Sequence, residues 1–195
     1  MALLPLVASA AGDATAGQAL ATPCAACHGQ DGVAVLPNSP NLAGQNAVYL
    51  VRQMTLIKSG VRPVPLMAGQ LDALTGDDLA NLAAYFASLK APVGQAAADN
   101  AEKLALGERI YRAGIASKGV AACTACHSPT GSGNALAGFP HLSGQTVQYV
   151  SAQLTAYREG SRATDEDTGG VMRGVAKGLT DSEIAAVANY VLGLH

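Results

Sequence analysis

The sequence predicts an all-α chain made of two tandem copies of one small domain. Three observations predict it. A series of matches recurs in fixed order at an offset of 99 to 105 residues, apolar residues repeat at helical spacing in each copy, and no run of alternating β-branched residues occurs. Cys24-Ala25-Ala26-Cys27-His28 recurs as Cys123-Thr124-Ala125-Cys126-His127, and Pro40-Asn41-Leu42-Ala43-Gly44-Gln45 recurs as Pro140-His141-Leu142-Ser143-Gly144-Gln145. Tyr49, Gln53, Gly60 and Arg62 then match Tyr149, Gln153, Gly160 and Arg162, and Leu74-Thr75 through Leu89 matches Leu179-Thr180 through Leu194. The changes of offset place insertions in the second copy, one ahead of its cysteines and one between Arg162 and Met172.

Each element follows from local pattern. A short helix is expected before each cysteine pair, around Ala14–Leu20 and Ala101–Ile115. An amphipathic helix is expected from about Gln45 to Lys58 and from about Gln145 to Glu159, where Val147, Val150, Leu154 and Tyr157 mark the buried stripe. A last helix opens on the capping box Thr180-x-x-Glu183 and its looser counterpart Thr75-x-x-Asp78. Behind these, Ile184, Val187, Val191 and Leu194, and Leu79, Leu82, Ala83, Phe86 and Leu89, repeat at helical spacing. The stretch from Lys90 to Asn100 carries Pro, Gly and small residues and reads as a boundary. The expected division is a first domain over 12–90, a linker over 91–100 and a second domain over 101–195. Residues 1–11 are uncharged and mostly apolar and contain Ala8-Ser9-Ala10, which reads as a signal-peptide remnant or a disordered N-terminus. The segment is too short to span a bilayer, and Gly, Pro and charges interrupt every other apolar stretch.

Composition narrows the function. Apolar residues make up 49% of the 195, but there are only two Phe and no Trp, so each small domain has little large side-chain surface of its own to bury. Something else is expected to fill the core. The net charge of −2, close to evenly divided between the halves, gives no basic footprint for nucleic acid and no strong electrostatic steering.

All four cysteines fall in two Cys-x-x-Cys-His motifs. This spacing is the attachment signature of c-type haem: two thiols add across the two vinyl groups of one porphyrin, and the adjacent His reaches the iron. A redox dithiol would need a βαβ context that the pattern lacks. A shared zinc site would need both motifs to converge on one metal, although each sits in its own repeat. The cofactors expected are therefore two covalently bound haem c groups. Cys24, Cys27, Cys123 and Cys126 would form the thioethers, and His28 and His127 the proximal iron ligands.

A proximal His is oriented through its other ring nitrogen. Pro40 and Pro140 could supply the accepting carbonyls, or be ordinary loop prolines; spacing alone does not choose. For the far side of the iron, Met172 is the only Met in copy two, seven residues before Leu179, and Met67 lies seven before Leu74. If Met is used, Met67 and Met172 are the pair, while Met54, which aligns with Leu154, reads as a core side chain. His141 and His195 offer a bis-His alternative, but His141 matches Asn41 and His195 matches nothing, so both read as surface groups. Met opposite His raises the reduction potential and closes the coordination sphere, favouring electron transfer over catalysis.

On these residues the chain closely resembles the cytochrome c4 family of dihaem cytochromes, from Gly12-Asp13 to Leu194-His195. The marks are the two motifs, Pro140-His141-Leu142-x-Gly144-Gln145, Arg158-Glu159-Gly160 and the Ala84-Tyr85-Phe86-Ala87-Ser88 helix. The resemblance implies two class I cytochrome c folds related by an approximate twofold axis, with haem propionates near the domain interface and Met67 and Met172 as axial ligands. It implies that first and last helices cross, with Gly17 and Gly107 permitting close approach beneath Tyr85 or Phe86 and Tyr190. It also implies a periplasmic respiratory-chain carrier, sometimes associated peripherally with the membrane, that takes electrons from a membrane donor and passes them to a terminal oxidase without a small-molecule substrate. Arg62, Arg162, Tyr49 and Tyr149 are then candidates to hydrogen-bond the propionates, the alternative being solvated arginines and half-buried tyrosines at helix ends. Asp165-Glu166-Asp167 reads as a solvated charge run rather than a docking site for a basic partner.

Overall fold

The computed structural model describes residues 12–97 and 101–195. The segment read as a signal remnant, and the end of the expected linker, lie outside them. The first domain contains α1 (Ala14–Leu20), α2 (Ala25–His28), α3 (Ala47–Lys58) and α4 (Gly76–Ser88). The second contains α5 (Ala101–Ala113), α6 (Thr124–His127), α7 (Val147–Arg158), α8 (Val171–Lys177) and α9 (Asp181–Leu192). Among the described residues the extended pairing is limited to isolated β-bridges within the second domain, Ile115 with Val120 and Asn134 with Phe139.

Local signals set the helix starts. The Asp13 carboxylate accepts from the Thr15 and Ala16 amides and caps α1. Both expected capping boxes form: Thr75 with Asp78 opens α4, and Thr180 with Glu183 opens α9. Asp therefore serves as well as Glu, because Asp78 Oδ2 reaches the Thr75 amide at 2.8 Å. One element departs from expectation. The insertion after Arg162 leads into the short helix α8, introduced by two left-handed glycines, Gly169 and Gly170.

In each domain the first helix packs across the last, α1 on α4 and α5 on α9. A Cβ at Gly17 would collide with the Asn81 carbonyl and the Tyr85 side chain, and one at Gly107 with the Ala186 carbonyl and Tyr190. Glycine at these crossings is a packing requirement, with Tyr85 and Tyr190 as the residues approached. Behind the crossings lie two separate cores. Leu50, Leu82, Ala83 and Phe86 centre the first; Ile110, Tyr111, Ile184, Val187 and Val191 centre the larger second. Between the domains, residues 91–97 pass against α9, where Ala97 and Asn189 exchange two hydrogen bonds.

Candidate functional site

Each Cys-x-x-Cys-His motif winds into a single helical turn, which brings its three reactive side chains together. Cys24 ends a 3-10 turn (Thr22–Cys24) and Cys27 and His28 lie on α2; Cys123 caps α6, which carries Cys126 and His127. A residue with positive φ, Gly29 or Ser128, turns the chain away after each His. Ser128 holds this conformation without being glycine, while its carbonyl accepts from the fully buried Tyr111 hydroxyl at 2.7 Å.

Both histidines are buried, at 7% and 6% exposure. His28 Nδ1 lies 2.9 Å from the Pro40 carbonyl, and His127 Nδ1 lies 3.0 Å from the Pro140 carbonyl. A carbonyl only accepts, so Nδ1 must carry the proton, which leaves the Nε2 lone pair for a metal. The two prolines are therefore the orienting acceptors, not ordinary loop residues. Burial lowers the pKa of both histidines and keeps them neutral, the form that ligates. None of the four cysteines is in a disulfide, and all four are half-buried. Burial raises the pKa of the Cys24 thiol and pushes that of Cys123 up to about 11. A reactive dithiol needs the opposite shift.

Met67 ends the 3-10 turn Pro65–Met67, and its amide donates to the Val64 carbonyl at 2.8 Å. Met172 lies in the first turn of α8 rather than in a loop. Both are half-buried. Met54 packs against the first core, as expected. His195 is exposed, but His141 is not a free surface group: it is half-buried at the domain interface, its amide donates to Gln45, and burial lowers its pKa.

The interface removes the solvated alternative for two arginines and corrects the reading of Asp165. Arg62 and Arg162 are not solvated; they are 7% and 6% exposed. Arg62 donates to Gln53 of its own domain and to Tyr149 and Gln153 across the boundary, at 2.9 to 3.1 Å. Arg162 does the reverse, donating to Gln153 of its own domain and to Tyr49 and Gln53 across it, at 2.6 to 3.0 Å. Burial raises the pKa of the Tyr49 hydroxyl, but the two guanidiniums outweigh it and hold that pKa below the ordinary value. Nor is Asp165 part of a solvated run. It is 3% exposed and accepts from the Arg173 amide at 2.9 Å and the Arg173 Nε at 2.7 Å. Asp167 pairs with Arg52 of the first domain, and Glu166 with Arg173.

These residues fit two covalent haem groups. The donor set at each motif is two thiols and a neutral imidazole fixed in one tautomer. Buried charges are normally paired, yet no carboxylate among the described residues bridges Arg62 or Arg162. A cofactor bringing its own carboxylates suits that pair of cations. Reasoning from sequence missed the partners Gln45, Gln145, Gln53 and Gln153, although their recurrence in both copies was the available signal.

Fold and motifs together define a duplicated class I c-type cytochrome, and the cytochrome c family profile matches residues 14–90 and 104–195. The chain is 51% identical to cytochrome c4 of Pseudomonas aeruginosa over 189 residues, covering 97% of this chain and 92% of that protein. It is 48% identical to cytochrome c4 of Azotobacter vinelandii over 198 residues, with the same coverage. The crystal structure of reduced recombinant cytochrome c4 from Pseudomonas stutzeri superposes with a TM-score of 0.90 at 46% identity, covering 95% of this chain and all of that one. The chain belongs to the cytochrome c4 family. It is a dihaem electron carrier, not an enzyme, with two covalent haem c groups under His/Met ligation.

Proposed function

We propose that Cys24 and Cys27 tether one haem and Cys123 and Cys126 the other, with His28 and Met67, and His127 and Met172, as the axial ligands. The domain extents are 12–90 and 101–195, with 91–100 between them. The carrier works in the periplasm, taking single electrons from a membrane donor and delivering them to a terminal oxidase. Among the described residues no helix is long and apolar enough to cross a membrane. The observation that carries the reading is the repetition of one His–Pro geometry, 2.9 Å and 3.0 Å, on the two sides of one buried interface.

The haem iron, when bound, supplies the one-electron couple. The chain's own residues set its surroundings. Pro40 and Pro140 hold the imidazoles in the ligating tautomer. Met67 and Met172, as thioether ligands, would favour the ferrous state and keep water and small oxidants from the iron. Arg62 and Arg162 would stabilise the haem carboxylates, while the Tyr149 and Tyr49 hydroxyls accept from these guanidiniums and order them. Holding both domains in one network keeps the separation of the redox centres constant from turnover to turnover.

A spectroelectrochemical titration of holoprotein matured in an oxidising periplasm tests the ligand set. It should count two haems, each with a methionine-to-ferric charge-transfer band; rapid cyanide binding to the folded protein would overturn it. For the partners, the reduced protein should be reoxidised by membranes containing a terminal oxidase, with sensitivity to an oxidase inhibitor. Reoxidation no faster than in buffer would remove the oxidase from the proposal.

A further inference from the structure

The repeated Gly-Gln of each copy has no part in the ligand set, yet Gln45 and Gln145 are buried at 6% exposure each. Each spans the boundary. Gln145 Oε1 accepts from the Asn41 amide at 2.9 Å, and its Nε2 donates to the Asn41 carbonyl at 3.0 Å. Gln45 repeats this with His141, at 2.7 Å and 2.8 Å. The Asn41 amide belongs to the same peptide unit as the Pro40 carbonyl that receives the His28 Nδ1 proton. The His141 amide likewise belongs to the peptide unit of the Pro140 carbonyl that receives the His127 proton. Each orienting peptide thus accepts from the proximal His on its own side and donates to a glutamine of the other domain.

We infer that Gln145 tunes the first-domain haem and Gln45 the second-domain haem, each acting in trans through one peptide group. An amide whose N–H donates to an acceptor carries more negative charge on its oxygen, and such chains strengthen one another, most of all where water is excluded. A stronger acceptor at Pro40 pulls the Nδ1 proton of His28 and makes its Nε2 a better donor, which favours the ferric state. The glutamines are positioning residues; they touch neither iron nor ligand. Their own helices also use them, since Gln45 accepts from the Asn46 amide and Gln145 from the Thr146 amide. A purely structural role would therefore disturb the glutamine's own domain.

The inference rests on His28 and His127 as iron ligands, and its test separates the two claims. Gln145→Met and Gln45→Met keep the side-chain length and remove the acceptor. In holoprotein retaining both haems and both methionine bands, Q145M should raise the first-domain potential and Q45M the second-domain potential. The expected shift is a two- to threefold change in the ferric-to-ferrous ratio at fixed potential, or ~20–30 mV at 59 mV per tenfold. The Nδ1 proton of the trans histidine should also exchange faster by NMR. No shift, a shift only in the glutamine's own domain, or equal shifts in both would overturn the inference and leave the ligand set standing. A wild-type spectrum lacking His/Met ligation would instead overturn the ligand set. Should neither variant load haem, amide exchange in the wild-type holoprotein decides: Asn41 and His141 amides as protected as the core support the relay, and fast exchange of either overturns it.

Discussion

The two domains hold their matching methionines, Met67 and Met172, on different backbone and by different physical means. In the first, Met67 follows Pro63-Val64-Pro65, whose ring-fixed φ angles restrict the unfolded chain, and the segment is tied down by the Lys58 ammonium on the Asp72 and Leu74 carbonyls. In the second, the equivalent segment has no proline. Met172 starts a short helix entered through two glycines and anchored by the ion-paired contact of Arg173 with the buried Asp165. The methionine keeps its place in the repeat, while backbone stiffness in one copy is exchanged for charge pairing in the other. One domain should therefore be indifferent to acid and salt where the other is not.

The largest effect separates the domains outright. Met67→Ala and Met172→Ala should each abolish about half of the methionine charge-transfer band, lower the potential of one haem only and open that haem to cyanide. A variant that kept the full band would refute its ligand assignment. Next, Arg162→Leu removes the guanidinium donor to the Tyr49 oxygen and one of the two donors to each of the Gln53 and Gln153 oxygens, and should cost about 2–4 kcal/mol in denaturant unfolding. Arg62→Leu should cost somewhat less, because Arg162 also stacks on Tyr157, 4.6 Å from the ring centre, and bonds Thr164. Equal costs would mean that these additions contribute nothing.

Asp165 gives the sharpest test of the contrast. Burial raises its pKa, but the hydrogen bonds and charge of Arg173 outweigh that and hold it below the ordinary value. Its contribution is therefore fully present above the unfolded carboxyl pKa of ~3.9 and is lost as pH falls through the lower folded value. The Met172 band should fade in acid before the Met67 band. Asp165→Asn should cost about 1–3 kcal/mol at neutral pH and flatten that acid response. Loss of both bands together would erase the distinction. The smallest effect is Pro65→Ala, which should loosen the unfolded first domain and cost about 0.4–1 kcal/mol, with no change in pH dependence.

What the sequence disclosed was what local chemistry determines. Capping boxes, helical periodicity and a five-residue attachment motif act within one or two turns, so α4, α9 and both His-bearing turns could be read directly. The interface could not, because its partners are 87 to 113 residues apart and a lone Arg beside a helix end looks the same whether solvated or bridging. Asp165 was misread for a related reason. Its partner Arg173 lies on α8, whose glycine entry and seven-residue length leave little periodic trace in the sequence. The recurrence of Tyr, Gln and Arg in both copies marked these positions without saying what they met.

The cross-boundary contacts are reciprocal: Arg62 meets Tyr149 while Arg162 meets Tyr49, and Gln45 grips His141 while Gln145 grips Asn41. Contacts that return the same residue to its counterpart are those of an isologous pair, the kind that two identical subunits make about a dyad. A single half of this chain would carry both partners of that handshake on one face. Fusion then frees each half to change alone, and the insertion bearing Asp165, just ahead of α8, is a change that a symmetric pair would have had to accept twice.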